Sequence, residues 1–174
     1  IFDQKFKNFE LTFEWKISKG GNSGVFYLAQ EVQKEDGTYE PIYISAPEYQ
    51  ILDNENHIDA GLGVDGNRKS ASLYDMIPAK PQNSNGWGEW NTSKIVCYQG
   101  TVVHYQNAVP VLEYHLWTPQ WTELLQKSKF SEAAWPVAFA LLNNCGGENH
   151  EGYIGFQDHG DDVWYRNIKV KVLE

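Results

Sequence analysis

Hydrophobic and polar residues alternate along several short stretches of the chain, and the clearest of them lies near the start. In FELTFEWKI, residues 9–17, Phe9 and every second residue after it are apolar, whereas the residues between them are polar or charged. A period of two is typical of a β-strand with one face in the core and the other in water. The pattern therefore predicts an antiparallel strand, since antiparallel sheets can leave one face exposed.

Further strand-like segments follow, separated by turn residues such as Gly, Asn and Pro. They are VFYLAQ, EYQILD, the hairpin SKIVCYQGTVVHYQ with its turn at Gln99-Gly100, VPVLEYHLW, GYIGFQD and VWYRNIKVKVL. In the last segment, unbroken alternation would put Trp164, Arg166, Ile168 and Val170 on one face, and Tyr165, Asn167 and Lys169 on the other.

Only one segment, TPQWTELLQKSKF, has a helical pattern. Thr118 can cap its start, Pro119 suits the first turn, and Trp121 and Leu125 are expected to be buried. Strands without a strand–helix–strand rhythm indicate an all-β protein. We expect one domain over residues 1–174, an antiparallel two-sheet jelly-roll sandwich with one short helix, in preference to an immunoglobulin topology, which would need a Cys…Trp…Cys framework.

Composition narrows the range of partners. The net charge of −9 and the pI near 5.0 argue against nucleic acid and against an anionic membrane surface. No apolar run approaches the roughly 20 residues that span a bilayer. The aromatic content of 14% gives weak support to a carbohydrate partner, because β cores are also rich in aromatic residues. The first residue is Ile1 rather than Met, so we expect a fragment from which any export signal has been removed.

Two cysteines, Cys97 and Cys145, are too few for a disulfide framework. They could form one bridge, but two buried free thiols are the favoured interpretation, because Cys97 lies in the middle of a predicted strand.

Two polar positions stand out as candidates for chemistry. In PEYQILD, Glu48 and Gln50 share a strand face, where a carboxylate and an amide could bind neighbouring hydroxyl groups; an ordinary solvated face is the alternative. In GFQDHGDD, His159 lies among aspartates that would favour its protonated form and suit it to proton transfer. The alternative for His159 is a loop histidine that one of these aspartates satisfies.

Other catalytic patterns are weak. The pairs in HID and GGENHEG lack the spacing of a zinc site, so the sequence assigns no cofactor and leaves a divalent cation as an open alternative. No activated Ser or Cys is apparent. A retaining glycosidase would need two carboxylates about 5 Å apart on one face, whereas the strand with Glu48 continues to Gln50 and Leu52.

Six segments in the same order resemble one known family, the 3-keto-disaccharide hydrolase domain of Bacteroidota. They are GGNSGVFYL, PEYQILD, SASLYDMIPA, KPQNSNGWGEWN, PQWTELLQKSKF and GFQDHGDDVWYRNIKV. The resemblance implies a concanavalin A-like sandwich and an enzyme that cleaves glycosides oxidised to a ketone at C3. Such a ketone acidifies the C2 proton, so a base can remove it while the C1 oxygen leaves.

The resemblance also implies a site at the rim of a sheet. His159 and Glu48 would be the catalytic residues, and either could be the base. The implied substrate-binding residues are Asn22, Gln50, Tyr74, Trp90, Gln157 and Asp158. The alternatives are a non-catalytic, lectin-like carbohydrate-binding module and a structural interaction domain. An exported protein of this kind would be periplasmic or surface-attached.

Overall fold

The computed structural model describes every residue from 1 to 174, and its two sheets are antiparallel throughout. The strands are β1 (Phe9–Ile17), β2 (Asn22–Ala29), β3 (Glu48–Leu52), β4 (Asn91–Tyr98), β5 (Thr101–Gln106), β6 (Val109–His115), β7 (Tyr153–Phe156) and β8 (Val163–Val172). One sheet has five strands in the order β6-β5-β4-β1-β8, and the other has three in the order β3-β2-β7. The predicted all-β, two-sheet antiparallel sandwich is confirmed.

The core lies between the two sheets and follows the alternation of the sequence. The five apolar residues of β1 are all buried, as predicted: Phe9, Leu11, Phe13, Trp15 and Ile17. The hairpin of β4 and β5 turns at Gln99 and Gly100, which have φ values of 48° and 83°. Two consecutive positive φ values are typical of the turns that join two strands directly. Cys97 and Cys145 are buried free thiols.

Strand β8 departs from the predicted unbroken alternation. Its pairing with β1 shifts between Thr12 and Glu14, where β8 contains a bulge and Asn167 has a φ of 51°. The extra residue reverses the facing of the residues beyond it. As a result Tyr165 and Val170 both pack on the core, although strict alternation would separate them, and Trp164 is 45% exposed.

Two short helices lie outside the sandwich, where the sequence predicts one. Helix α1 (Pro119–Gln126) begins as expected, since the Thr118 side chain accepts a hydrogen bond from Trp121 N–H, and Trp121 and Leu125 are buried. Helix α2 (Pro136–Asn143) was not predicted. Its sequence, PVAFALLN, is apolar over most of its length and therefore lacks the polar face that marks an amphipathic helix. Neither helix is long enough to cross a membrane.

Candidate functional site

A large cavity opens on the outer face of the three-stranded sheet, on the side away from the core. Its volume of about 750 Å³ is suited to a small molecule. Alternate residues of β2 and β3 form its floor: Asn22 and Phe26 from β2, Glu48 and Gln50 from β3. Tyr49, between the last two, points into the core and is fully buried. The period of two therefore separates the polar floor of the cavity from the hydrophobic core.

The Glu48 carboxyl lies over Gly24 of β2, where the absence of a side chain leaves space for it. Gly24 pairs with Gln50 in the sheet, and a Cβ atom on Gly24 would lie 2.1 Å from Glu48 Oε1. Burial raises the pKa of Glu48 to about 8; Lys129 acts in the opposite direction, and Asp59 adds to the rise. The Glu48 carboxyl makes no hydrogen bond within the protein, so it is free to exchange a proton with a ligand.

One wall of the cavity is an ion-pair network that holds Tyr74 and Lys129 in place. Arg68 Nε lies 2.7 Å from Asp75 Oδ1, and Arg68 Nη1 lies 3.2 Å from Asp59 Oδ1. Tyr74 Oη donates a hydrogen bond to Asp59 Oδ2 at 3.1 Å, and the Lys129 backbone N–H donates to Asp75 Oδ2 at 2.9 Å. These residues come from three separate loops, so local sequence patterns did not indicate that they meet.

The adjoining wall is aromatic. Trp135 lies between two other rings, with centroid distances of 6.1 Å to Tyr43 and 6.3 Å to Phe130. All three side chains line the cavity. Flat aromatic faces beside a polar floor suit the amphipathic surface of a sugar ring or a planar group.

The end of β7 completes the rim. The Gln157 N–H donates to Gly24 O at 2.8 Å, and the Gln157 carbonyl accepts from Ser23 Oγ at 2.7 Å, so its backbone is fixed to β2. His159 follows at the exposed mouth of the cavity and makes no ion pair with the aspartates near it in sequence. Of these, Asp161 instead accepts a hydrogen bond from Asn22 N–H at 3.0 Å.

Two buried oxygen atoms at the cavity have no hydrogen-bond partner in the protein, namely Asn22 Oδ1 and Gln157 Oε1. Buried acceptors are nearly always paired with protein or water, so orphaned ones beside a cavity are available to the donor groups of a ligand. Gln50 is complementary, because its Oε1 accepts from Ile51 N–H at 3.1 Å and its amide N–H groups remain as donors. This mixture of acceptors and donors suits hydroxyl groups, which can both donate and accept.

The histidines of the two weak metal-binding patterns have structural roles. His57 Nδ1 accepts a hydrogen bond from Asp59 N–H at 3.1 Å and so caps a 3-10 helix (Ile58–Gly61). The His150 ring stacks on Trp117 with a centroid distance of 3.7 Å. No group of three or more His, Cys, Asp or Glu side chains is arranged to hold a metal ion.

Most of the predicted site residues share the cavity. Those that line it are Asn22, Glu48, Gln50, Tyr74, Gln157, Asp158 and His159. Trp90 does not, which corrects its expected place in the groove. It packs on the outer face of the other sheet, with Arg166 Cζ 3.8 Å and Lys16 Nζ 5.2 Å from its ring centroid. Both cations belong to strand faces that point away from the core, so the loop that carries Trp90 folds over that face instead.

The fold and the cavity together define a class, the β-sandwich proteins that carry a polar, aromatic-walled pocket on one sheet; lectin domains belong to this architecture. A sequence match identifies the family within this class. The model of the 3-keto-alpha-glucoside-1,2-lyase-like domain matches residues 1–171, and the chain belongs to this family.

Individual relatives agree with this assignment. The chain is 72% identical, over 178 aligned residues and 100% of its length, to the 3-keto-disaccharide hydrolase of Bacteroides thetaiotaomicron, and it spans 61% of that protein. A candidate glycosyl hydrolase from Parabacteroides distasonis superposes with a TM-score of 0.81 at 27% identity, over 99% of this chain and 73% of that one. A carbohydrate-binding module of family 66 from Bacillus subtilis shares the fold, with a TM-score of 0.52 at 10% identity, over 97% of this chain and 78% of the module.

Proposed function

We propose that the cavity binds a glycoside with a ketone at C3 and cleaves it by removing the C2 proton with loss of the C1 oxygen. The observation that carries this proposal is Glu48, a half-buried carboxyl group without a protein partner that lines the floor of the cavity and has its pKa raised to about 8. A base with a pKa near neutral pH is suited to abstracting a carbon-bound proton. The name of the Bacteroides thetaiotaomicron relative supports the choice of substrate.

The chemistry needs no covalent intermediate with the protein. When the base takes the C2 proton, the electrons of the C2–H bond form an enolate with the C3 ketone. The enolate then collapses to a C1–C2 double bond, the C1–O1 bond breaks, and an acid protonates the departing oxygen. Addition of water across the double bond, with its oxygen on C1 and a proton on C2, gives the net result of hydrolysis.

Glu48 is better placed than His159 to be the base. The Glu48 carboxyl lies in the floor of the cavity, where burial raises its basicity, whereas His159 is exposed at the mouth. A leaving group departs toward solvent, so we assign His159 as the acid that protonates it. Acid and base roles in different environments are a common division in active sites.

Recognition of the sugar falls to two groups of residues in the cavity. Asn22, Gln50 and Gln157 offer hydroxyl partners beside Glu48, and we place the oxidised ring there. The wall of Tyr43, Phe130 and Trp135 then faces the group attached at C1. A volume of about 750 Å³ is sufficient for both parts of a disaccharide.

Substitution of Glu48 tests the proposal in the whole protein with a chromogenic 3-keto-glucoside. A general base contributes roughly 10²- to 10⁴-fold, so Glu48→Gln should lower turnover by at least about 10²-fold. Glu89→Gln is the matched control, because Glu89 is exposed and lies outside the cavity. Thermal unfolding of each variant checks that the fold is intact.

The same assay separates the enzyme from its alternatives. Equal cleavage of the unoxidised and 3-keto glucosides, or full activity of Glu48→Gln, would contradict the proposal. A lectin-like module would bind the 3-keto sugar without releasing the chromophore.

We also propose that the protein acts outside the cytoplasm, which fractionation of cells that express the whole protein would test.

A further inference from the structure

The proposed reaction creates a negative charge that no residue in the scheme above stabilises. Loss of the C2 proton transfers charge to the C3 oxygen, and an oxyanion held in a cavity without a hydrogen-bond donor is costly. Enzymes meet this cost with donors that are already aimed at the place where the charge develops. A group opposite the C3 oxygen is therefore a requirement of the mechanism.

Lys129 is the cation of the cavity wall with free donors. Its Nζ lies 4.3 Å from the Tyr74 ring centroid and 5.0 Å from that of Phe130, and it forms no hydrogen bond or ion pair. Arg68, the other cation nearby, is fully engaged with Asp59 and Asp75. The aromatic faces orient the Lys129 ammonium without using its N–H groups.

The position of Lys129 is fixed from the backbone outward. Its N–H donates to Asp75 Oδ2, and the other oxygen of Asp75 binds Arg68 at 2.7 Å. Burial lowers the pKa of Lys129, while Asp75 and Glu48 act in the opposite direction. Rigid support of this kind is what a charge-stabilising group requires, because its benefit depends on not having to reorganise during the reaction.

We propose that Lys129 hydrogen-bonds the C3 carbonyl oxygen and stabilises the enolate formed when Glu48 removes the C2 proton. This inference rests on the proposed function of the cavity. The lysine remains an ammonium throughout: the negative charge passes from the Glu48 carboxylate to the C3 oxygen beside Lys129, and leaves on O1, which the acid protonates, when the C1–O1 bond breaks. The electron count balances without a further reactant.

Exchange of the C2 hydrogen of free 3-keto-glucose with solvent deuterium measures enolate formation without cleavage of a glycosidic bond. In the whole protein, Lys129→Met should slow this exchange by about 10²- to 10³-fold, the usual cost of one oxyanion donor. The kcat for a chromogenic 3-keto-glucoside should fall in parallel, with a smaller change in KM, because the lost contact strengthens in the transition state. Lys129→Arg, which keeps the charge and the donors, should recover part of the rate.

Lys127→Met is the matched control, because Lys127 is two residues away, does not line the cavity and pairs with Glu123 at 2.6 Å. Its exchange rate should equal that of the unaltered protein. If Lys129→Met also exchanges at that rate, the assignment of Lys129 is wrong, although the proposed function stands. If borohydride traps the 3-keto sugar on Lys129, an imine replaces the hydrogen bond and the proposal is likewise overturned. If the unaltered protein neither exchanges nor cleaves, the proposed function itself fails.

Discussion

Glu48 illustrates how burial changes the chemistry of a single residue. At an ordinary pKa the side chain would be a carboxylate in water and a weak base, whereas at about 8 it holds a proton for most of the neutral range. Burial is the main cause, because a charge in a low-dielectric cavity is unfavourable. The nearby Lys129 limits the rise by favouring the charged form.

The pH dependence of the reaction should report this value. Because the base must be ionised, kcat/KM for a 3-keto-glucoside whose leaving group needs no protonation should rise about tenfold per pH unit below pH 8 and level off above it. Measuring the free energy of unfolding at a series of pH values provides a check that needs no substrate. The native protein binds the Glu48 proton more tightly than the unfolded chain, so this group stabilises the fold fully below pH 4.5 and progressively less as the pH rises to about 8.

Glu48→Gln should remove that contribution to the pH dependence, since an amide does not ionise. The free energy of unfolding of the variant should then decline less between pH 4.5 and pH 8 than that of the unaltered protein. Identical unfolding curves across this range would mean that Glu48 titrates normally, and the pH rise in activity would need another group.

At the scale of the elements, the paired strands β2 and β3 create the space for the Glu48 carboxyl. A residue of any size at Gly24 would meet the Glu48 carboxyl, with a Cβ atom 2.1 Å from Oε1 and 2.9 Å from Cδ. Both contacts involve the end of a flexible side chain, so the strands can keep their register while the carboxyl moves. We therefore expect the sheet to tolerate a change here that the proposed reaction does not.

Gly24→Ala should therefore keep the fold and lose activity. A displacement of about 1 Å can cost about 10²-fold in rate, and we expect a loss of about 10- to 10²-fold in kcat for the 3-keto-glucoside. Gly86→Ala is the control, because an added Cβ there meets nothing within 4 Å. If both variants match the unaltered protein in kcat, the position of the Glu48 carboxyl is not what limits the reaction.

The secondary-structure elements also show which features can be predicted from sequence patterns and which cannot. Strand β1 could be predicted because its alternation is complete, and the β4–β5 hairpin because Gln99-Gly100 is a turn sequence. Helix α2 could not, because an apolar helix has no contrasting polar face. The bulge in β8 at Asn167 carries no marker of its own, so the exact facing of that strand depends on its pairing with β1.

The residues of the candidate site also fall into those that the sequence could predict and those that it could not. Glu48 and Gln50 could be paired from a period of two within one strand, and the family resemblance brought in His159. Lys129 and Asp59 had no such signal, because loops distant in sequence deliver them to the cavity wall. Trp90 was misplaced for the opposite reason, since a loop aromatic can fold over either sheet and its sequence does not say which.

In the whole molecule, polar contacts through the core join the sheet that carries the cavity to the sheet behind it. Tyr27 Oη on β2 lies 2.7 Å from His104 Nε2 on β5 and also contacts Tyr114 Oη on β6. His104 Nδ1 lies 2.9 Å from Ala71 O, so it must donate, and Nε2 accepts from Tyr27. Burial lowers the pKa of His104 to about 4, which keeps the ring neutral in this arrangement.

Tyr27→Phe should destabilise the protein because it removes the hydroxyl group at the centre of this link. His104 Nε2 and Tyr114 Oη would both stay buried without a partner, and each orphaned group costs about 1–3 kcal/mol, so we expect the free energy of unfolding to fall by about 2 kcal/mol or more. Tyr98→Phe removes a hydroxyl from a residue that is 39% exposed and should change that free energy by less than about 0.5 kcal/mol. Urea unfolding at pH 7 compares the two. Equal stability of both variants would mean that hydrophobic packing alone joins the sheets, and that the buried hydroxyl network contributes nothing to holding the cavity against the core.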